Sequence, residues 1–255
     1  MPLKSFTITL IRHGETEENS LGIIQGQSDT KLNATGIQQA QLLAATFPIE
    51  EYSIAYSSDL SRAYDTCRVI LSDSPQAKSG ASLKDIRTDV RLRERSFGPL
   101  EGQSLDALIK LAKEHNTSVV NFVPEGGESP EDIRRRVRNF VETRLLEEAQ
   151  KESTDDRALK ILLVSHGGAI RELINYFVSF GHHSFKAQKE KTRIIPPNTS
   201  VNDFLVHYDL QTFAASPVKT VECLRLHDVS HLPESFQKQA LSQKQVNDHY
   251  KGPAV

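Results

Sequence analysis

Apolar runs and helix-periodic stretches alternate along most of this chain. Phe6-Thr7-Ile8-Thr9-Leu10-Ile11 is a short β-prone run, and Ser53-Ile54-Ala55-Tyr56-Ser57 reads as a second, buried strand. Between them Thr35-Gly36-Ile37-Gln38 suggests a capping box, with Ile37, Ala40, Ala44 and Phe47 at helical spacing behind it. Leu60, Ala63, Cys67, Ile70 and Leu71 predict the next helix, and the Ser-, Pro- and Gly-rich segment 72–82 a loop. Residues 85–92 could form another strand, leading into a charged loop over 93–102, and Leu105, Leu108 and Leu111 mark a modest helix. A stronger helix follows, with Ser129 as N-cap, Pro130 at its first position and Ile133, Val137, Phe140, Val141 and Leu145 on one face.

Leu159-Lys160-Ile161-Leu162-Leu163-Val164 is nearly all apolar, as expected of a strand covered on both faces. The helix after it carries Ile170, Leu173, Ile174, Phe177 and Val178 on one side. Val201 to Tyr208 and Val218 to Leu226 read as closing strands, possible partners of each other, and residues 233–255 as a polar tail or marginal helix. This alternation predicts one α/β domain over residues 1–232, with a mostly parallel central sheet flanked by helices.

Composition narrows the function. With 38% hydrophobic and 25% charged residues the chain is globular, and its net charge of −2 argues against a nucleic-acid binder with a globally basic surface. Two cysteines, Cys67 and Cys223, favour a reduced compartment over a disulfide scaffold or a structural zinc site. No apolar stretch approaches the roughly 20 residues of a membrane helix, so a cytoplasmic protein is expected. Four arginines at 134, 135, 136 and 138 read as a solvated helix face, because Glu131 and Glu142 lie at pairing distance along the helix.

The candidate chemistry sits where strands end. Ile11 runs into Arg12-His13-Gly14, and Val164 into Ser165-His166-Gly167-Gly168. Parallel neighbours would bring both histidines out at the carboxyl edge of the sheet, where ligands of open α/β folds collect. Glycines at a helix start allow an anion close to free N–H groups. Ser57-Ser58-Asp59-Leu60-Ser61-Arg62 adds a cation at a third strand-to-helix junction. Alone, each histidine could cap a turn, Arg62 could be surface and Asn19 a helix cap. Together they describe a pocket for a phosphoryl group.

Arg12-His13-Gly14-Glu15-Thr16, Asn19 and Ser165-His166-Gly167-Gly168 resemble the histidine phosphatase superfamily, in its phosphoglycerate mutase-like branch. The likeness extends through Ser57 to Ala63, Leu92-Arg93-Glu94-Arg95, Gly98 to Gly102 and Gly126-Gly127-Glu128-Ser129, in family order. It implies a three-layer sandwich and a ping-pong phosphatase without metal or cofactor. His13 is then the nucleophile, and Arg12, Arg62, Asn19 and His166 hold the phosphoryl oxygens. Glu94 is the proton donor, with a surface ion pair to Arg93 or Arg95 as its plain alternative. Gln25 and Gly167 complete the implied substrate-binding set.

Ile23-Ile24-Gln25-Gly26-Gln27 and Leu92-Arg93-Glu94-Arg95 are most similar to the family's fructose-2,6-bisphosphatases. That implies a small phosphorylated sugar as substrate, and a role in lowering glycolytic flux and in apoptosis. A bisphosphoglycerate phosphatase, a phosphoglycerate mutase or a phosphoprotein phosphatase would use the same scaffold, as would a non-catalytic binding protein. Mutases of the family usually carry Tyr where this chain has Phe97, then paired arginines, and residues 103–125 contain no Arg. The basic run Lys186, Lys189, Lys191 and Arg193 could contact a second anionic group, or be a solvated loop. Oligomeric state is not readable from the sequence.

Overall fold

The computed structural model describes residues 3–78, 85–151, 159–181, 191–209 and 217–242. Its centre is a six-stranded sheet in the order β3-β2-β4-β1-β5-β6. Here β1 is Lys4–Arg12, β2 Ile54–Ser57, β3 Ile86–Thr88, β4 Lys160–Ser165, β5 Val201–Tyr208 and β6 Val218–Asp228. The first four strands in that order are parallel, and β5 and β6 close the sheet as an antiparallel pair. As the apolar run predicted, β4 is central, and Ile161, Leu162, Leu163 and Val164 are all fully buried.

Successive side chains of a strand point to opposite faces, and here both faces are covered. Phe6, Ile8, Leu10, Ile161 and Leu163 pack with Ile133, Val137 and Phe140 of α6 (Pro130–Phe140) and Ile170, Leu173 and Phe177 of α8 (Gly167–Val178). Ile11, Leu162 and Val164 face the other way. They pack with Leu43 of α2 (Ala34–Ala44) and Ala63, Cys67 and Ile70 of α3 (Ser61–Asp73). The result is a helix–sheet–helix sandwich. A third, smaller cluster joins Ile24 and Phe97 to Leu108 and Ala112 of α5 (Leu105–Glu114), beside the carboxyl-edge loops.

Several local expectations need correction. The N-cap of α2 is Asn33, whose Oδ1 accepts from the Gly36 N–H at 2.8 Å, and Thr35 lies inside the helix. Ile37 is 42% exposed, because α2 turns Gly36, Gln39 and Ala40 inward instead. Residues 85–92 supply just three strand residues before a 3-10 turn at Val90–Leu92. Within the loop expected over 72–82, α3 runs on to Asp73 and a short α4 covers Pro75–Lys78; residues 79–82 lie outside the described set. The polar, glycine-bearing stretch 22–30 reads as an exposed loop in the sequence, yet Ile24 and Gln25 within it are buried.

Ser129 and Pro130 open α6 as expected, with a capping box closed by Asp132. After Phe140 the helix widens into a π turn at Val141–Leu145 before α7 (Leu146–Lys151). Such a turn inserts an extra residue into the helix, and Val141, Leu145 and Leu146 all remain in the core. Beyond β6 the polar C-terminal region contains a helix, α9 (Glu234–Ser242), and residues 243–255 lie outside the described set. Among the described residues no helix is long and apolar enough to cross a membrane.

Candidate active site

Strand register places the two histidines together. Arg12 pairs with Ser165 across the β1–β4 ladder, so His13 and His166 are the next residues out of the sheet. The His13 N–H donates to the Ser165 carbonyl at 2.9 Å. Their rings lie 5.2 Å apart between centroids, tilted by 58°. Both are buried, His13 at 3% and His166 at 0% exposure.

The loop after His13 is fixed from three sides. The Gly14 N–H donates to Thr66 Oγ1 at 2.9 Å, and that hydroxyl donates to the Arg62 carbonyl. The Glu15 N–H donates to Gln39 Oε1, while Asn33 donates through Nδ2 to Glu15 Oε1. Gly14 and Gly36 touch backbone to backbone. A Cβ on Gly14 would sit 2.5 Å from the Gly36 carbonyl oxygen, so neither position tolerates a side chain. That contact explains the glycine after Thr35, which the sequence pattern presents as part of a capping box.

His13 Nδ1 lies 2.7 Å from the Gly14 carbonyl oxygen. A carbonyl accepts, so Nδ1 carries the proton and Nε2 keeps its lone pair. Burial first, then the charges of Arg62 and Arg12, hold the His13 pKa well below the ordinary histidine value, against a smaller opposite effect of the Gly14 bond. His166 is depressed in the same way by burial, then by Arg62, His13, Arg136 and Arg12. Neither ring nitrogen of His166 has a hydrogen-bond partner among the protein's described groups. Buried polar atoms are normally paired, and an incoming oxyanion or hydroxyl would satisfy these.

Arg62 is the largest fully buried side chain. Its two terminal nitrogens donate to the carbonyls of Ser28 and Gly26, each at 2.8 Å, and its Nε is buried without a partner. The guanidinium is therefore held by the 26–30 loop, with the Nε–H among the donors left over. Arg12 is held by a 2.8 Å bond to the Pro196 carbonyl. Gln25 stands further back. Its Oε1 accepts from Thr30 Oγ1, which also accepts from Arg62, so Thr30 links it to Arg62. Asn19 closes a capping box with Thr16 at the start of α1 (Glu17–Leu21), and its Oδ1 accepts from Asn198 Nδ2.

Glu94 comes from the loop after β3. Its Oε2 accepts from the Gly168 N–H at 2.9 Å and its Oε1 from the Arg95 N–H at 2.8 Å, which sets the carboxylate at the α8 N-terminus beside His166. The arginines on either side of it make other bonds. Arg93 makes a two-pronged bond to Asp59, and the Arg95 guanidinium donates to the carbonyls of Val120, Phe122 and Glu128. At Gly168 a Cβ would come within 2.4 Å of Glu94 Oε1, so this glycine makes room for the acid. Gly167 meets the same limit against Ile195.

Some neighbours were not foreseen. Asn198 donates to the His13 carbonyl at 2.9 Å, and the Thr199 N–H donates to that of Arg12. Thr199 does this at a φ of +55°, a strained backbone for a β-branched residue. The Pro196-Pro197-Asn198 stretch signals a turn in sequence, though not which loop it serves. Arg136 departs from the solvated helix face expected of it and is treated below, whereas Arg134, Arg135 and Arg138 pair with Glu131, Asp132 and Glu142. Lys186 and Lys189 lie outside the described residues. No group of three or more His, Cys, Asp or Glu side chains among the described residues is placed to hold a metal ion.

Two histidines with lowered pKa values, two anchored arginines and a carboxylate thus meet where β1 and β4 end. The chain belongs to the histidine phosphatase superfamily (branch 1), whose family model matches residues 8–215. Among its relatives, the mouse fructose-2,6-bisphosphatase TIGAR is 31% identical, over 92% of this chain and 98% of that one. A broad-specificity phosphatase of Saccharomyces cerevisiae is 34% identical over 75% of this chain and 76% of its own length. The solved mycobacterial glucosyl-3-phosphoglycerate phosphatase, in complex with VO3, superposes with a TM-score of 0.65. It is 26% identical, covering 87% of this chain and 98% of that one.

Proposed function

We propose that the protein hydrolyses phosphate monoesters of small sugar bisphosphates through a phosphohistidine on His13, with fructose 2,6-bisphosphate as its preferred substrate. The observation that carries the mechanism is the His13 ring, which is proton-bound on Nδ1 by the Gly14 carbonyl and kept neutral beside two guanidinium groups. Nε2 attacks phosphorus as the ester P–O bond breaks. Glu94 gives a proton to the departing oxygen, then takes one from the water that attacks the phosphohistidine. Phosphate leaves and neutral His13 returns. Arg12, Arg62, Asn19, His166 and the Gly167 end of α8 stabilise the equatorial oxygens, with Gln25 supporting the Arg62 side of the site.

Support for the substrate comes from relatives. Fructose-2,6-bisphosphatases of frog and mouse align over 90% and 92% of this chain at 30% and 31% identity. A cytoplasmic enzyme of this kind would lower glycolytic flux. The test is a steady-state panel of sugar, glycerate and amino-acid phosphates ranked by kcat/KM, with the phosphoenzyme trapped in alkali. Fructose 2,6-bisphosphate should rank first, yielding fructose 6-phosphate and free phosphate. A higher rank for a phosphoglycerate, or phosphoglycerate interconversion without phosphate release, would replace that substrate.

A further inference from the structure

Arg136 lies on α6, and its side chain is 16% exposed. A guanidinium has five N–H donors, and here every one is used within the protein. Nε donates to Glu128 Oε1 at 2.8 Å and Nη2 to Glu128 Oε2 at 2.9 Å. Nη1 donates to the carbonyls of Arg91 at 2.8 Å and Arg93 at 2.6 Å, and Nη2 to that of Glu94 at 2.9 Å. One planar group thus ties three carbonyls of the segment that ends in Glu94.

Glu128 extends the clamp. Its Oε2 also accepts from the Ser96 N–H at 2.9 Å, so the Arg136–Glu128 pair grips the loop on both sides of the acid. Gln27 donates to the Glu94 carbonyl at 3.2 Å, and Ser165 Oγ to that of Leu92. The carboxylate of Glu94 is itself positioned by two backbone N–H groups, from Arg95 and Gly168. Its direction therefore depends on where this loop backbone sits. A guanidinium with no donor left for substrate cannot be a phosphate ligand without breaking this clamp.

The geometry points to Arg136, paired with Glu128, as the positioning residue that aims Glu94 at the leaving-group oxygen. This rests on the reading of Glu94 as the proton donor. A rival effect exists: the Arg136 charge also helps to depress the His166 pKa. The two effects separate by leaving group. Losing the aim of an acid harms esters whose oxygen must be protonated as it departs, whereas a weakened field at His166 harms all phosphoryl transfers alike.

The experiment measures kcat/KM, which reports enzyme phosphorylation, for dinitrophenyl phosphate and for glycerol phosphate. Arg136→Met should lower the glycerol phosphate value on the order of a hundredfold and leave the dinitrophenyl value within about threefold. Arg136→Lys keeps the charge without the planar fork and should show the same split. In a Glu94→Gln background either change should add less than about threefold. Glu128→Gln carries the same comparison should Arg136→Met fail to fold. Equal losses on both esters, full recovery by Lys, or additive losses with Glu94→Gln would overturn the inference. A Glu94→Gln enzyme that loses both esters equally would instead overturn the reading of Glu94 itself.

Discussion

His13 and His166 leave adjacent parallel strands at matched positions, whereas Glu94 sits on a loop with no ladder beneath it. The histidines inherit their placement from backbone register and from a core buried on both faces of the sheet. The acid's loop is held by side chains instead: Arg93 on Asp59, Arg95 on three carbonyls, Arg136 on three more, and Glu101 Oε1 on the N–H groups of Gln27 and Phe97. A sheet edge gives rigid positions for the group proposed to bond to phosphorus. A loop braced by ionic clamps can be changed at one brace without disturbing the core.

The largest effects should come from the strand side. His13→Ala removes the atom proposed to carry the phosphoryl group, and turnover should fall at least about ten-thousandfold, with no alkali-stable phosphoenzyme. Normal turnover in that variant would move the nucleophile elsewhere. His166→Gln keeps the fold's polar volume but loses an imidazole with two unpartnered buried nitrogens. Removing one such stabiliser should cost about a hundred- to a thousandfold for aryl and alkyl esters alike. A loss confined to alkyl esters would place His166 with the leaving group rather than the phosphoryl oxygens.

Gly168→Ala probes the seam between the two regions. The added methyl would meet Glu94 Oε1 at 2.4 Å, the mobile end of a side chain, so the clash is relieved by moving the carboxylate. Activity on alkyl esters should fall about ten- to a hundredfold while the melting temperature changes little, by about 2 °C or less. A large drop in melting temperature would show that the loop is as firmly built as the strands.

The same contrast decides what the sequence discloses. Both histidines are legible because each follows an apolar run, and a parallel sheet turns that shared grammar into shared space. Glu94 is legible through the family motif, and its charged neighbours leave its partner open until Arg93 is seen on Asp59. Arg136 is hidden. Helix-spacing logic suits Arg134, Arg135 and Arg138, whose partners lie three or four residues away. The carbonyls taken by Arg136 are 42 to 45 residues distant, and a backbone carbonyl has no letter in the sequence. Asn33 and Thr35 are both good caps, and the choice falls to Asn33 because Glu15 binds its side chain and Gly36 must meet Gly14. Asn198 is visible as a turn residue, yet only folding brings it to the His13 carbonyl.

Acid titration offers the smallest and most graded test of the two regions. His13 and His166 have pKa values depressed in the folded protein, so the unfolded chain binds protons first as pH falls below about 6.5. Stability that is complete above that value is lost progressively below it. His231, lowered to about 4, and His227, lowered to about 3, act in the same direction. The loop's clamps behave differently. Asp59 is lowered chiefly by its hydrogen bond to Arg93, and its contribution persists until pH falls below the ordinary carboxylate range. Urea unfolding between about pH 8 and 5 should therefore show stability declining through the histidine window. His166→Gln should flatten that slope by about one proton, or about 1.4 kcal/mol per pH unit at the acid end. Asp59→Asn should leave the slope in this window unchanged and show its effect at lower pH, because its carboxylate stays ionised throughout. An unchanged slope in His166→Gln would mean that His166 accepts its proton in the folded state near the ordinary histidine pKa. Of the two site histidines, His13 alone would then have a lowered pKa.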